Sequence, residues 1–295
     1  MIILRMVTAA AVAIFVTSPA AARPDRPDCA IDVQELGEAK INRYNALEGG
    51  DYLESIRLRL RNKGDEACSG LIRISRISGT PELVGPQGGK LTYTIVDQAD
   101  FGRVIYDPRT NNGSAVIVSV PANSTTEISP RLFVTGSQAG RSGRYAATLE
   151  ATFIPAGEIV GIASARFNVS AQVMASVQAN FVGSTNPQNA RLELGELVPN
   201  KNGSIGLQIR SSSEYQISFR SENKGVLAGP GSAEIPYTMS YAGQLIDLTT
   251  RDRKEFSPPD PVRPSTNLID VTIGQFAGAR AGNYSDEVTI TISAL

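Results

Sequence analysis

The 295-residue sequence contains no histidine and no tryptophan, only two cysteines, and few aromatic residues of any kind. Without histidine there is no imidazole triad, no histidine metal ligand and no side chain that ordinarily serves as general base near neutral pH. The two cysteines, Cys29 and Cys68, do not form a CxxC pair, which argues against thiol redox chemistry. Basic and acidic residues nearly cancel, giving a formal charge of −1, and no basic patch of the kind that binds nucleic acid is present. There is no Gly-x-Ser-x-Gly, P-loop or dinucleotide-binding glycine pattern. Asp247, Asp252, Glu255, Asp260 and Asp270 cluster around one segment and invite a paired-carboxylate reading, but a solvated loop accounts for them more simply. No enzyme, metal or cofactor is indicated.

One apolar run opens the chain. Arg5 precedes the almost wholly apolar stretch from Val7 to Val16, and Ala20-Ala21-Ala22 offers a small-residue cleavage site. Residues 1–22 therefore read as a secretory signal peptide, too short to span a bilayer. Nothing later is apolar enough to do so, and loss of Arg5 takes the formal charge from −1 to −2. In an oxidising compartment Cys29 and Cys68 are expected to form a disulfide, whose loop of about 40 residues would be worth roughly 4 kcal/mol in the chain-entropy model.

What fills the rest is alternation. Ile31-Asp32-Val33, Leu53–Leu60, Leu71–Ile77, Leu91–Val96, Ser114–Val120, Glu127–Ser129 and Arg131–Val134 carry the period of half-buried strands, with turn residues between them. No segment has a convincing helical period, Ala39–Leu47 coming nearest. The fold class is all-β, built of sandwiches. Residues 159–181 are apolar or small at nearly every odd position. At about 3.3 Å per residue one strand of that length would exceed 70 Å, so two strands sharing one frame are expected, with a break near Gln172–Ala175. Arg251–Pro264 reads as a charged, proline-rich loop.

Landmarks recur in order. Leu36-Gly37-Glu38 returns as Leu194-Gly195-Glu196, Gly85-Pro86 before Leu91-Thr92-Tyr93 returns as Gly229-Pro230 before Ile235-Pro236-Tyr237, and Gly143-Arg144-Tyr145 returns as Gly282-Asn283-Tyr284. Three ordered matches argue for two duplicated domains, residues 23–173 and 174–295. Counted from the tyrosines, Leu149, Ala151 and Phe153 fall on Val288, Ile290 and Ile292. The first copy then turns at Pro155-Ala156-Gly157 into a further strand, whereas the sequence stops soon after Ile292. The second domain is therefore expected to be one strand short. Val288, Ile290 and Ile292 would line one side of the resulting groove, and Val177, Ala179 and Phe181 the other.

The stretches Leu194-Gly195-Glu196, Tyr215–Ser218, Ser221–Gly225, Ile235–Met239 and above all Ala281–Ile292 resemble the spore coat protein U domain family, the pilin-like subunits of archaic chaperone–usher pili. The likeness is strongest over 176–295 and weaker over 29–173. It implies tandem immunoglobulin-like sandwiches, the C-terminal one lacking its last strand. It also implies strand addition, first from a periplasmic chaperone and then, through an outer-membrane usher, from a neighbouring pilin subunit. The short leader Arg23–Asp28, with two prolines, is a poor donor strand, which suits a two-domain adhesin at a pilus tip. Such a protein would be secreted, passing through the periplasm to the cell surface and to roles in adhesion and biofilm. A periplasmic pilus chaperone and a free-standing secreted binding protein are the alternatives. The target of adhesion is unknown; Gln98–Val104, Pro108–Ser114 and Gly136–Gly143 are candidate loops on the assumption that they lie far from the second domain.

Overall fold

A computed structural model describes residues 29–258 and 263–295, so the expected signal peptide and leader lie outside the described residues. Among the described residues there is no α-helix, only two 3-10 turns, and most of the apolar alternation is resolved into strands. The first unit contains β1 (Ile31–Glu35), β2 (Ala39–Tyr44), β3 (Asp51–Ser55), β4 (Leu58–Asn62), β5 (Cys68–Arg76), β6 (Leu83–Val84), β7 (Lys90–Leu91), β8 (Thr94–Val96), β9 (Val104–Tyr106), β10 (Val116–Val120), β11 (Thr125–Ile128), β12 (Arg131–Thr135), β13 (Gly143–Pro155) and β14 (Ala163–Val173). The second contains β15 (Val177–Phe181), β16 (Asn202–Ser211), β17 (Tyr215–Ser221), β18 (Val226–Ala228), β19 (Glu234–Tyr241), β20 (Gln244–Ile246), β21 (Asp252–Phe256), β22 (Ser265–Ile273) and β23 (Val288–Ala294).

In the first unit the sheet β10-β5-β13-β14-β2 packs across one core against β1-β4-β11 and β3-β12-β8-β9. In the second, β15-β16-β22-β19-β18 packs against β21-β17-β23 over a separate core. Tyr44, Tyr106, Tyr145, Phe153 and Phe167 fill the first core, and Tyr215, Phe219 and Tyr241 the second. Cys29 and Cys68 are joined in a disulfide that ties the start of the described chain to β5.

Several strands differ from their sequence outline. Leu53–Leu60 keeps its alternation, with Ile56, Leu58 and Leu60 all buried, yet splits into β3 and β4. The chain changes sheets there, because β3 pairs with β12 while β4 pairs with β1 and β11. Leu91–Val96 likewise breaks into β7 and β8. The expected loop 251–264 contains a strand, β21, on the edge of its sheet. An edge strand tolerates charged side chains, and the one aromatic in β21, Phe256, stacks on Tyr215 with ring centroids 5.5 Å apart. The long 159–181 frame resolves into β14 and β15, with Met174–Ser176 between them. Its first residues form an exposed turn instead of strand, leaving Ile159 89% and Val160 68% exposed.

The sequence repeat is also a repeat of packing. In both units a Gly-Pro pair opens a 3-10 turn whose next residues, Gln87 and Gly88 or Gly231 and Ser232, take left-handed φ. A side chain on Gly85 would collide with the ring of Tyr145, and one on Gly229 with the ring of Tyr284. Gly143 and Gly282 lie just as close to Pro86 and Pro230. The glycines are fixed by the tyrosine and proline rings packed against them, and so the Gly-x-Tyr strands β13 and β23 occupy equivalent places.

Candidate functional site

That equivalence locates an open edge. β13 is paired on one side with β5 and on the other with β14. Its counterpart β23 is paired with β17 and, among the described residues, with no strand on its other side. β15 is also an edge strand, paired among the described residues only with β16. Unpaired N–H and C=O groups on such an edge form a template for another strand.

A pocket of about 260 Å³ lies between the two edges. Val177, Ala179 and Phe181 line it from β15, and Ile290 and Ile292 from β23. Val288, nearest in sequence to the start of β23, is packed against the core but does not line the pocket. The difference from the complete unit is plain in burial: Leu149, Ala151 and Phe153 are 0% exposed, whereas Val288, Ile290 and Ile292 are only half-buried. Leu207 from β16 and Pro187 and Gln188 from the loop after β15 complete the lining. The carbonyl of Pro187 accepts a hydrogen bond from the Phe181 amide (2.9 Å), so this loop folds back over one end of β15.

The start of β23 is latched by a carboxylate. Asp286 Oδ2 accepts hydrogen bonds from Tyr237 OH (2.5 Å) and Ser221 Oγ (2.5 Å), and Oδ1 accepts one from the Asn223 amide (3.0 Å). Burial first, and then the bond to Asp286, raises the Tyr237 pKa above the ordinary tyrosine range. In the first unit alanine (Ala147) stands at the corresponding position, and Tyr93, the counterpart of Tyr237, has its buried hydroxyl without a partner.

Around the junction of the two units, Ser212 Oγ accepts from the Ser176 amide (2.9 Å) and donates to the Met174 carbonyl (2.9 Å). The Ser212 carbonyl accepts from the Ser142 amide (2.7 Å), and Arg141 donates to the Pro258 carbonyl (3.2 Å). Gly136–Gly143 therefore packs against the second unit, contrary to the expectation that this loop lies far from it. Gln98–Val104 is tied down by its own polar contacts, with Arg103 bonded to Asp97 and the Ala115 carbonyl, and Phe101 under the Arg131 guanidinium. In Pro108–Ser114 the carboxylate of Asp107 is held by Arg109. The most exposed large aliphatic residue among those described, Ile159, sits elsewhere, in the turn after β13, where Val160 and Ile162 (49% exposed) join it. Strand alternation masked this turn in the sequence.

The acidic residues do not converge on a paired-carboxylate site. Asp247 holds Thr249 and Thr250, which lowers its pKa; Asp252 accepts the Asp247 amide and pairs with Lys254; Asp270 accepts from Ser204 Oγ (2.6 Å). Asp260 lies outside the described residues.

Scans against family models and against curated proteins return no match, so the spore coat protein U resemblance has no support from them. Among solved structures, the chain is similar to one from the CsuC–CsuE chaperone–tip adhesion subunit pre-assembly complex of Acinetobacter baumannii archaic Csu pili. There the identity is 13% and the TM-score 0.45, over 88% of this chain and 99% of that one. It is also similar to CfaE, the adhesive subunit of CFA/I fimbria of enterotoxigenic Escherichia coli (13% identity, TM-score 0.44, 88% and 92% covered). A third is the CupB6 tip adhesin of Pseudomonas aeruginosa (12% identity, TM-score 0.38, 90% and 94% covered). Likeness at this level does not decide what this chain does.

Proposed function

We propose that the chain is a non-enzymatic, two-domain pilus subunit of the tip-adhesin kind, residues 23–173 presenting a complete sandwich and residues 174–295 accepting a β-strand from another protein. A periplasmic chaperone would supply that strand in transit, and a neighbouring pilin subunit would supply it after passage through an outer-membrane usher. The observation that carries this reading is the groove between β15 and β23, at the place that β14 fills in the first unit. Its apolar rows and bare edges suit an extended peptide, which satisfies the backbone along one edge and buries alternate side chains. The test is amide hydrogen exchange of the full chain with and without a synthetic peptide of alternating apolar residues. Exchange along β23 should slow at least about tenfold on binding, as expected of amides newly taken into a ladder. Exchange in β23 already as slow as in β13, and unchanged by peptide, overturns the proposal.

A further inference from the structure

In the first unit β14 has two partners, running antiparallel to β13 and parallel to β2. β2 begins directly after Leu36-Gly37-Glu38, and Glu38 reads the strand beside it. Glu38 Oε1 accepts hydrogen bonds from Ser170 Oγ of β14 (2.5 Å) and from the guanidinium of Arg144 in β13 (2.5 Å). Ser170 is fully buried. Its hydroxyl, and after it Arg144, holds the Glu38 carboxyl below the usual carboxylate range.

Leu194-Gly195-Glu196 is the counterpart of Leu36-Gly37-Glu38 in the second unit's sequence and lies in the connection between β15 and β16. Gly37 and Gly195 both take left-handed φ (112° and 66°), which turns the chain in the same sense. The second segment is anchored just beyond Glu196, where the Asn200 amide donates to the Ile273 carbonyl (2.9 Å). Leu194 and Leu197 pack on the second core, fixing the segment. Yet Glu196 is exposed, and among the described residues nothing is bonded to its carboxylate. Arg144 is replaced by Asn283, so the second unit does not supply the cation that Glu38 has in the first.

We propose that Glu196 is a specificity-determining residue of the groove, accepting a hydrogen bond from a hydroxyl or cationic side chain on the incoming strand. The register follows from β14. Phe167 lies opposite Leu149 and Ser170 opposite Ala146, positions that correspond to Val288 and Ser285. The partner strand therefore carries its donor group three residues after the side chain that faces Val288, and an acidic residue there is rejected by the uncompensated carboxylate. The segment Glu196–Val198 supplies the second edge, and Pro199 limits it, because proline stands where Ile41 pairs with Ala171 and offers no N–H. This inference rests on the strand-acceptor function.

The test measures binding of a labelled peptide with the sequence of residues 163–173 to the full chain, by anisotropy. Ser170→Ala and Ser170→Glu versions of the peptide are set against wild-type, Glu196→Gln and Glu196→Ala chains. Glu196 is exposed, so these chains are expected to fold. Against the wild-type chain Ser170→Ala should weaken binding roughly tenfold, and Ser170→Glu more. Against Glu196→Ala the serine and alanine peptides should bind within about twofold of each other, the signature of a direct pair in a double-mutant cycle. Equal losses from Ser170→Ala in both chains overturn the role of Glu196 while leaving strand acceptance standing. Failure of every peptide to bind overturns strand acceptance and this inference with it.

Discussion

Replacing Asp286 with alanine removes the acceptor of four hydrogen bonds at the point where β23 enters its sheet, one from the adjacent Glu287 amide and three from groups distant in sequence. Tyr237 OH and Ser221 Oγ both donate to Oδ2, and the Asn223 amide donates to Oδ1. A hydrogen bond to a charged group contributes about 1.5–3 kcal/mol when well shielded, so three would approach about 6 kcal/mol. Asp286 is only half-buried, and solvent screening brings the expected loss to about 3 kcal/mol. Part of that loss is the stranded hydroxyl of Tyr237, a residue only 7% exposed. The first unit tolerates such an orphan at Tyr93, but there β13 is also held by β14. The assay is urea unfolding followed by tyrosine fluorescence, the chain having no tryptophan. Tyr237→Phe alone should cost about 1 kcal/mol, and the double variant should cost less than the sum by about 1 kcal/mol. A loss below about 0.5 kcal/mol for Asp286→Ala, or strict additivity with Tyr237→Phe, would refute the latch.

Other consequences can be checked as directly. With no histidine and no free cysteine, no side chain ordinarily titrates between the carboxylates and the tyrosines, so stability should be flat from about pH 6 to 9. Burial pushes Tyr44 up to about 12 and raises Tyr93, Tyr106, Tyr145, Tyr215 and Tyr237 as well. The folded state then keeps protons that the unfolded state releases, so stability is intact below the unfolded tyrosine pKa near 10. Above that pH it should fall by about 1.4 kcal/mol per pH unit for each tyrosine held neutral, which denaturant midpoints across pH would show. Reduction, or Cys29→Ser with Cys68→Ser, should cost the first unit about 4 kcal/mol by the chain-entropy model and leave the second unit's unfolding unmoved. Gly229→Ala should destabilise the second unit by about 2 kcal/mol, because the new methyl group must displace the Tyr284 ring; differential scanning calorimetry would reveal it.

Much of this fold is local and therefore visible in the sequence. Alternation gives strands because successive side chains leave opposite faces, and it placed Val177, Ala179, Phe181, Ile290 and Ile292 in apolar rows that meet at one pocket. The repeated glycines were readable because each lies under a tyrosine or proline ring that the sequence also repeats. What escaped depends on contacts distant in sequence. Pro187, Gln188 and Leu207 reach the pocket through a loop that folds back and a neighbouring strand, which no periodicity encodes. β21 is charged at four of its five positions and is a strand only because β17 pairs with it. The turn at Ile159–Ile162 continues the alternation of β14 while standing outside any sheet, so pattern alone misplaced it. Gly136–Gly143 looked like a free loop because its partners, Ser212 and Pro258, belong to the other unit.

The most direct test is thermal unfolding of the full chain with a strand of the β14 sequence fused after Leu295 through a turn copied from residues 156–162. The control is a fusion in which the inward residues of that strand are aspartate. Filling the groove should raise the second unit's transition by about 10 °C, the shift expected for roughly 3 kcal/mol in a unit of this size, and the control should not move it. Identical transitions in the unfused chain, the fusion and the control would contradict an open strand-acceptor groove between β15 and β23.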